Sequence, residues 1–494
     1  MKDEFLYVYL ISDKFTIIPL NLKALNNIMD NSFSAKLTNN KEKLIFTDDQ
    51  NTALIQFNLF YNSEERCPLY ILKGYAGTGK STLIAYLVNE LLAQKKKVRL
   101  LAPTGKAAKV IANYSKQAAY TIHKQVYFVG NQVNGSVNLV KAKNLFTDTL
   151  FIVDEASMVG IDDATQANSL LEDLLNFAYS GKGCKLMVVG DPGQLPPVGQ
   201  TNSPALDKDY LSQVYPQLTI SEAILKEIVR QAENSEITDV ATFIRNKTEF
   251  SLPMFNSHGR DVQRIDGAAL SDAIEASYDR YGMEETVLLT MSNKRANQWN
   301  NEIRARILLH EDNVQKNDVL MVVKNNYFWL SPESVIGFIA NGESIRITKI
   351  VNRQSLYGFE FVKATIEFID YPNEQEMEVL LNLEALTVEA PSLSRDRMKE
   401  LFFEVEKDYS YERNKRKRYQ LILKNPYFNA LQVKYSNAIT AHKAQGGQWK
   451  NVIIDFGFLP EQMRTENYNR WLYTCITRSQ EKVYLLNFPD AFFN

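Results

Sequence analysis

The eight residues Gly74-Tyr75-Ala76-Gly77-Thr78-Gly79-Lys80-Ser81 constrain the fold more than any other part of the chain. The pattern G-x-x-x-x-G-K-[ST] wraps backbone N–H groups around a phosphate and aims the N-terminus of the next helix at it. It needs a strand before it and a helix after it. Residues 69–72 (Leu-Tyr-Ile-Leu) are an apolar run of strand length, and Leu83, Leu87 and Leu91 recur at helical spacing over 81–94. Further short apolar runs follow at 97–102, 150–153 and 185–189. Strands of this kind, alternating with helices, form a parallel sheet covered on both faces.

The same pattern begins again at 286–290 and 452–456, which predicts a second α/β domain assembled from two separated segments. Between them, 319–323, 344–350, 359–369 and 377–383 alternate as β-strands do, with Asn341-Gly342 as a turn. This predicts a small β-barrel or sheet insertion, followed by a charged helical stretch at 394–424. Residues 5–10 and 15–20 read as two short strands in an N-terminal segment that carries no chemistry of its own. At 494 residues the chain has room for about three domains. Its net charge of −2 provides no global basic field, so any nucleic acid must bind a local groove. Three scattered cysteines and four scattered histidines argue against a disulfide framework and a zinc centre. No apolar run is long enough to span a membrane, and early acidic residues spoil a signal peptide. A cytoplasmic protein is expected.

Residues 151–157 (Phe-Ile-Val-Asp-Glu-Ala-Ser) complete the phosphate site. An apolar strand ends in two acids, of which Asp154 suits a Mg²⁺ shell and Glu155 an attacking water. Lys80 supplies a cation for the β- and γ-phosphates, and the Ser81 hydroxyl a metal ligand. Together they predict hydrolysis of Mg-ATP.

Many ATPases share these parts, and the remaining motifs decide among them. Residues 46–50 (Phe-Thr-Asp-Asp-Gln) precede the P-loop, 101–108 read Leu-Ala-Pro-Thr-Gly-Lys-Ala-Ala, and Thr121-Ile122-His123 follows. Residues 189–198 read Val-Gly-Asp-Pro-Gly-Gln-Leu-Pro-Pro-Val, 225–231 Leu-Lys-Glu-Ile-Val-Arg-Gln, 440–447 Thr-Ala-His-Lys-Ala-Gln-Gly-Gly, and 472–478 Leu-Tyr-Thr-Cys-Ile-Thr-Arg. In order and spacing this set resembles the superfamily 1B DNA helicases of the RecD-like and Dda-like branch, over roughly residues 44–494. The resemblance implies two RecA-like domains. The first would span 44–225, with a small hairpin insertion at about 124–145. The second would be built from 226–311 and 432–494, with an SH3-like barrel and helical insertion at 312–431. Residues 1–43 would be an N-terminal extension.

The resemblance also implies roles. Gln50 would read adenine, while Gly74, Gly77, Thr78, Gly79, Lys80, Ser81 and Thr82 would hold the nucleotide. Ser81 and Asp154 would hold Mg²⁺, Gln194 would sense the γ-phosphate, and Arg230 and Arg478 would act as arginine fingers. Guanidinium groups from a second domain would stabilise transition-state charge and require domain closure. Pro103, Thr104, Lys106, His123, Thr440, His442 and Lys443 would line a track for single-stranded DNA. Movement would run 5′ to 3′ on that strand toward duplex junctions, with replication or repair proteins as partners.

Some readings stay open at the level of sequence. Tyr427 and Phe428 suit base stacking or a core, and the basic run 413–418 suits phosphates or a solvated helix face. Asn134-Gly135 within 127–140 is a preferred hairpin turn, placed where these helicases carry a strand-separating wedge; a connector hairpin is the alternative. An ATP-binding switch with a protein partner, or an RNA substrate, would share the same phosphate chemistry.

Overall fold

Strand Pro68–Gly74 is buried along most of its length, and residues 69–72 are at most 1% exposed. Only a strand covered on both faces can bury such a run. The computed structural model describes residues 9–11, 14–16, 45–129, 139–161, 169–229, 235–247, 252, 254–256, 259–330, 334, 336, 338–371, 373–457 and 466–494. Strands Thr219–Leu225 and Lys185–Gly190 flank Pro68–Gly74. The sheet then continues through Thr149–Val153, Lys97–Ala102 and Ala119–Thr121, with every pairing parallel. Helix Lys80–Ala93 starts directly after the P-loop and buries Leu83, Leu87 and Leu91. Phosphate-binding residues therefore leave the carboxyl edge of the sheet, where parallel α/β sheets bind ligands.

The second sheet has the order Val262–Ile265, Ser479–Leu486, Trp449–Asp455, Thr286–Thr290, Ala438–Thr440, again all parallel. Its strands come from both sides of the inserted segment, as the sequence pattern requires. The insertion is a closed five-stranded barrel of Val319–Val322, Ser344–Leu356, Phe359–Phe368, Met377–Asn382 and Leu431–Tyr435. Because the last of these strands pairs with Val319–Val322, the barrel reaches Tyr435, past the boundary at 431 expected for it. The architecture is α/β, with two parallel sheets, a barrel and a small hairpin.

Helices Arg395–Asp408 and Lys415–Leu423 lie between the last two barrel strands. Tyr427 and Phe428 are half-buried beneath them. The Tyr427 ring lies 5.2 Å from Phe361, and Phe428 5.9 Å from Phe402, so both belong to the core that holds this arm to the barrel. In the basic run, Arg418 pairs with Glu406 at 3.0 Å, while Arg413 and residues 415–417 are exposed.

Two short strands pair where a hairpin insertion, wedge or connector, is expected. Tyr127–Val129 pairs antiparallel with Leu139–Lys141. Tyr127 donates to buried Asp173 at 2.8 Å, and Lys141 forms an ion pair with the same carboxylate. The Asn134-Gly135 turn lies outside the described residues. In the N-terminal segment, Tyr9–Ile11 pairs with Lys14–Thr16, shorter than the runs the sequence predicts there. Among the described residues no helix is long and apolar enough to cross a membrane. All three cysteines are free.

Where the second domain meets the barrel, Arg304 and Asp318 are both buried and 2.8 Å apart. Asp318 also accepts the Gln315 N–H at 2.7 Å and faces His310 Nδ1 at 2.9 Å. Removing one partner of such a pair strands a buried charge. Asp318→Ala should therefore lose about 3–5 kcal/mol of stability, seen as an earlier urea transition, and a midpoint equal to wild type would refute the assignment.

Candidate functional site

The P-loop takes its shape from glycine conformations and from one side chain outside it. Gly77 and Gly79 have φ of 76° and 78°, in the left-handed region that favours glycine. A Cβ on Gly79 would stand 2.5 Å from Gln50 Nε2. That amide donates to Thr78 O at 3.0 Å, while Gln50 Oε1 accepts the Thr47 N–H at 3.1 Å in the capping box of helix Asp48–Tyr61. Gln50, expected to read adenine, thus braces the loop and is engaged at both ends of its carboxamide. Thr78 Oγ1 and Lys80 Nζ both donate to Tyr75 O, at 2.7 and 2.8 Å. Lys80 Nζ also lies 3.9 Å from Asp191 Oδ2. Ser81 and Thr82 occupy the first turn of the following helix.

The two acids follow strand Thr149–Val153. The Asp154 N–H donates to Leu101 O at 3.0 Å, which fixes the strand end, and Asp154 Oδ1 accepts the Glu155 N–H at 2.8 Å. Glu155 has φ 51°, a conformation uncommon for a non-glycine residue and found at strained functional turns. Burial, and then the charge of Glu155, push the Asp154 carboxyl up to about 7. A divalent cation would reverse that balance and hold the carboxylate ionised. Mg²⁺ keeps most of its waters and takes only one or two protein oxygens. The donor set of Asp154 and Ser81 suits it. Among the described residues there is no group of three or more His, Cys, Asp or Glu able to hold a metal.

The site is completed from the second domain. Arg478 is buried at the end of helix Glu466–Ile476, and its Nη1 lies 3.7 Å from Glu155 Oε1. Backbone carbonyls of Thr474 and Gly447 hold its guanidinium at 3.2 and 3.3 Å. Tyr473 hydroxyl accepts the Ala76 N–H at 2.8 Å and donates to Asp191 Oδ2 at 2.7 Å. Thr474 Oγ1 accepts the Leu195 N–H at 2.9 Å, and Gln445 Nε2 donates to Leu195 O at 2.6 Å. Gln194 sits between these anchors, 4% exposed, with no hydrogen-bond partner for its Oε1 among the described residues. Tyr473, Thr474 and Gln445 were not singled out from sequence. They lie inside the quoted motifs but look like ordinary helix and loop residues, and only the domain contact shows their reach. Arg230 lies outside the described residues. The chain just before it is tied to the P-loop by Val229 N–H donating to Gly77 O at 3.0 Å.

The residues expected to track DNA fall on two facing segments. Thr104 caps helix Gly105–Ser115, its Oγ1 accepting the Ala107 N–H at 3.2 Å, with Pro103 just before it. Opposite, Thr440, His442 and Lys443 lie at helix Ala441–Ala444. The two segments approach closely: a Cβ on Gly446 would be 2.8 Å from Ala107 Cβ and 3.3 Å from Thr104 Oγ1. Lys106 Nζ stands 3.6 Å over the Trp449 ring, and burial brings it down to about 8. Burial likewise lowers His442 and, with Lys434, brings Lys443 to about 8. His123 is half-buried in helix Ile122–Val126, its ring 5.7 Å from that of Tyr127.

Two acids from the barrel also reach helix Gly105–Ser115. Asp370 Oδ1 lies 3.3 Å from Lys109 Nζ, which also donates to Ile369 O at 3.0 Å. Glu343 is buried so tightly against the helix start that a Cβ on Gly105 would meet its Oε1 at 2.0 Å. Burial and the charge of Asp370 push the Glu343 carboxyl up to about 8, against the pull of Lys109. The contact therefore favours protonated Glu343. It should be strongest in acid and weaken as pH rises from the ordinary value of 4.5 through about 8. A fluorophore pair on the barrel and the first domain should report that loosening as pH rises from the ordinary value of 4.5 to about 8, and Glu343→Gln should abolish the pH dependence.

Comparison with known proteins agrees with this geometry. Residues 49–265 match the AAA domain family and residues 435–486 the UvrD-like helicase C-terminal domain. An uncharacterised protein of Methanocaldococcus jannaschii is 24% identical over 84% of this chain, covering 36% of its own length. The ATP-dependent DNA helicase Dda of phage T4 is 27% identical over 59% of this chain and 64% of its own. This chain thus spans from about a third to just under two thirds of those two relatives. A crystal structure of Bacteroides Pif1 helicase in complex with ADP-AlF3 and single-stranded DNA covers 92% of this chain and 95% of its own, at 15% identity and a TM-score of 0.46. The chain thus combines an AAA domain with a UvrD-like helicase C-terminal domain.

Proposed function

We propose that this protein is an ATP-driven DNA helicase that moves along single-stranded DNA, 5′ to 3′, and separates duplex ahead of it. The observation that carries the reading is the 3.7 Å pairing of Glu155 with Arg478, which completes the phosphate site with a residue of the second domain. Lys80 and the P-loop N–H groups bind the phosphates, and Glu155 orients and deprotonates the attacking water. Mg²⁺, held by Ser81 and Asp154, would neutralise phosphate charge. Arg478, with Arg230 in the same role, stabilises charge developing on the γ-phosphate, so turnover requires the domains to meet. The strand runs between the segments bearing Thr104 and Thr440–Lys443, and closing and opening alternates the grip of each domain on it. Dda is a DNA helicase and the Bacteroides Pif1 complex holds single-stranded DNA, which supports DNA as substrate.

The deciding experiment measures ATP turnover with and without single strands, and unwinding of tailed duplexes of both polarities in DNA and RNA. DNA-stimulated turnover with unwinding from a 5′ tail is expected. Turnover indifferent to nucleic acid would support an ATP switch instead.

Glu155→Gln should bind ATP normally and lose hydrolysis, since it keeps the size of the side chain but not the base. Arg478→Ala should lower kcat by on the order of 10³ with a smaller effect on ATP binding. Steady-state turnover and nucleotide titration check both; a fall in affinity with kcat intact would make Arg478 a ground-state binder.

The hairpin of Tyr127–Val129 and Leu139–Lys141 is read as the base of the wedge. Replacing 130–138 with a short Gly/Ser linker leaves the Tyr127 and Lys141 anchors in place. Single-strand-stimulated ATPase should survive while unwinding per ATP falls sharply. Unchanged unwinding would place the wedge elsewhere.

A further inference from the structure

Tyr473 stands where three segments meet. Its hydroxyl takes the Ala76 N–H of the P-loop and gives its proton to Asp191 Oδ2, at 2.8 and 2.7 Å. Its ring edge packs on Gly193, where an added Cβ would be 3.0 Å from Cε1. The residue is 1% exposed, and burial with the neighbouring Asp191 charge keeps the phenol protonated. Asp191 divides its two oxygens: Oδ2 faces Tyr473, and Oδ1 accepts the Gly193 N–H at 2.9 Å. The next residue is Gln194, buried with an Oε1 that has no partner among the described residues. Beyond it, Leu195 is held by Thr474 and Gln445. The turn carrying Gln194 is therefore gripped on both sides by the second domain.

We propose that Tyr473 is a positioning residue that transmits domain closure to Gln194, its hydroxyl tying the P-loop to the 191–195 turn only when the two domains meet. This rests on the reading of the site as an ATPase completed across domains. Ala76 belongs to the first domain, as does Asp191, yet the bond between them passes through a side chain of the second. Opening the domains removes this bridge and the hold of Thr474 and Gln445 on Leu195, leaving Lys80 Nζ, 3.9 Å from Asp191 Oδ2, as the P-loop's contact with the turn, so Gln194 is held most firmly in the closed form. Hydrolysis in the open form is suppressed without any change in how nucleotide docks.

Tyr473→Phe keeps every ring contact and deletes both hydrogen bonds. The test uses the full chain: steady-state ATPase at saturating single-stranded DNA, and titration with a fluorescent ADP, for wild type, Tyr473→Phe, Gln194→Ala and the double variant. Loss of hydrogen bonds at a buried charged group predicts a kcat reduced about 30-fold. KM for ATP and ADP affinity should stay within about twofold, because the deleted bonds act after docking. In the Gln194→Ala background the same substitution should cost less than about threefold, since the two residues act as one unit. Losses that multiply in the double variant would show a structural role and overturn the proposal, as would an unchanged kcat or a change in KM alone. A general loss of folded protein would lower activity equally in both backgrounds and so counts as multiplication. A wild-type chain without DNA-stimulated turnover would overturn the helicase reading itself, a distinct result.

Discussion

The contact between Arg478 and Glu155 is the constraint on which the rest of the structure depends. A carboxylate just past the end of a buried strand is met by a guanidinium from another domain, itself held by two backbone carbonyls. Neither domain holds the full set alone. The two parallel sheets bring two carboxyl edges to one seam, where Tyr473, Thr474 and Gln445 each hold a backbone group of the first domain and Tyr473 also holds the Asp191 carboxylate. Backbone anchoring fixes position with few degrees of freedom, which suits a site whose electrostatics must be set before the reaction begins.

A second set of contacts stands apart from the nucleotide. Trp449 covers Lys106, Gly446 nestles against Ala107, and Tyr114 lies 3.3 Å from Gln448. These link the helix after strand Lys97–Ala102 to the second domain along the proposed strand path. Lys106 on Trp449 is a cation on an indole face, an interaction strengthened where water is excluded. In this arrangement the face expected to hold phosphates is occupied by protein, so a strand bound there would have to displace these contacts.

Most of the first domain was legible because its signals are local. The P-loop, the Leu83-Leu87-Leu91 stripe and the run before Asp154 each specify an element within a few residues. The barrel was legible through alternation, although its closing strand was not. Leu431–Tyr435 is buried at every position and so shows no alternation, and a closing strand is defined by a partner more than a hundred positions away. Gln50 shows the limit for a single residue. Its place before the P-loop was evident, whereas its use as both cap and brace depends on Thr78 O lying across the loop. Tyr473 and Glu343 were silent for the same reason, since their chemistry arises only when separate domains touch. Tyr427 and Phe428 show the converse: aromatic residues in a polar stretch look available until the arm above them is seen to pack.

Glu343 and Asp370 have one more consequence. The barrel is an insertion in the second domain, yet it rests on the first, so the two lobes are joined away from the P-loop seam as well as at it. A molecule fastened once swings open like a door. Fastened twice, it must release both catches, and the slower catch sets the opening rate. Only one of the two lies at the P-loop. Opening of the lobes can therefore be governed by a carboxyl group remote from the P-loop, and changes in the barrel would alter its rate while leaving the P-loop intact.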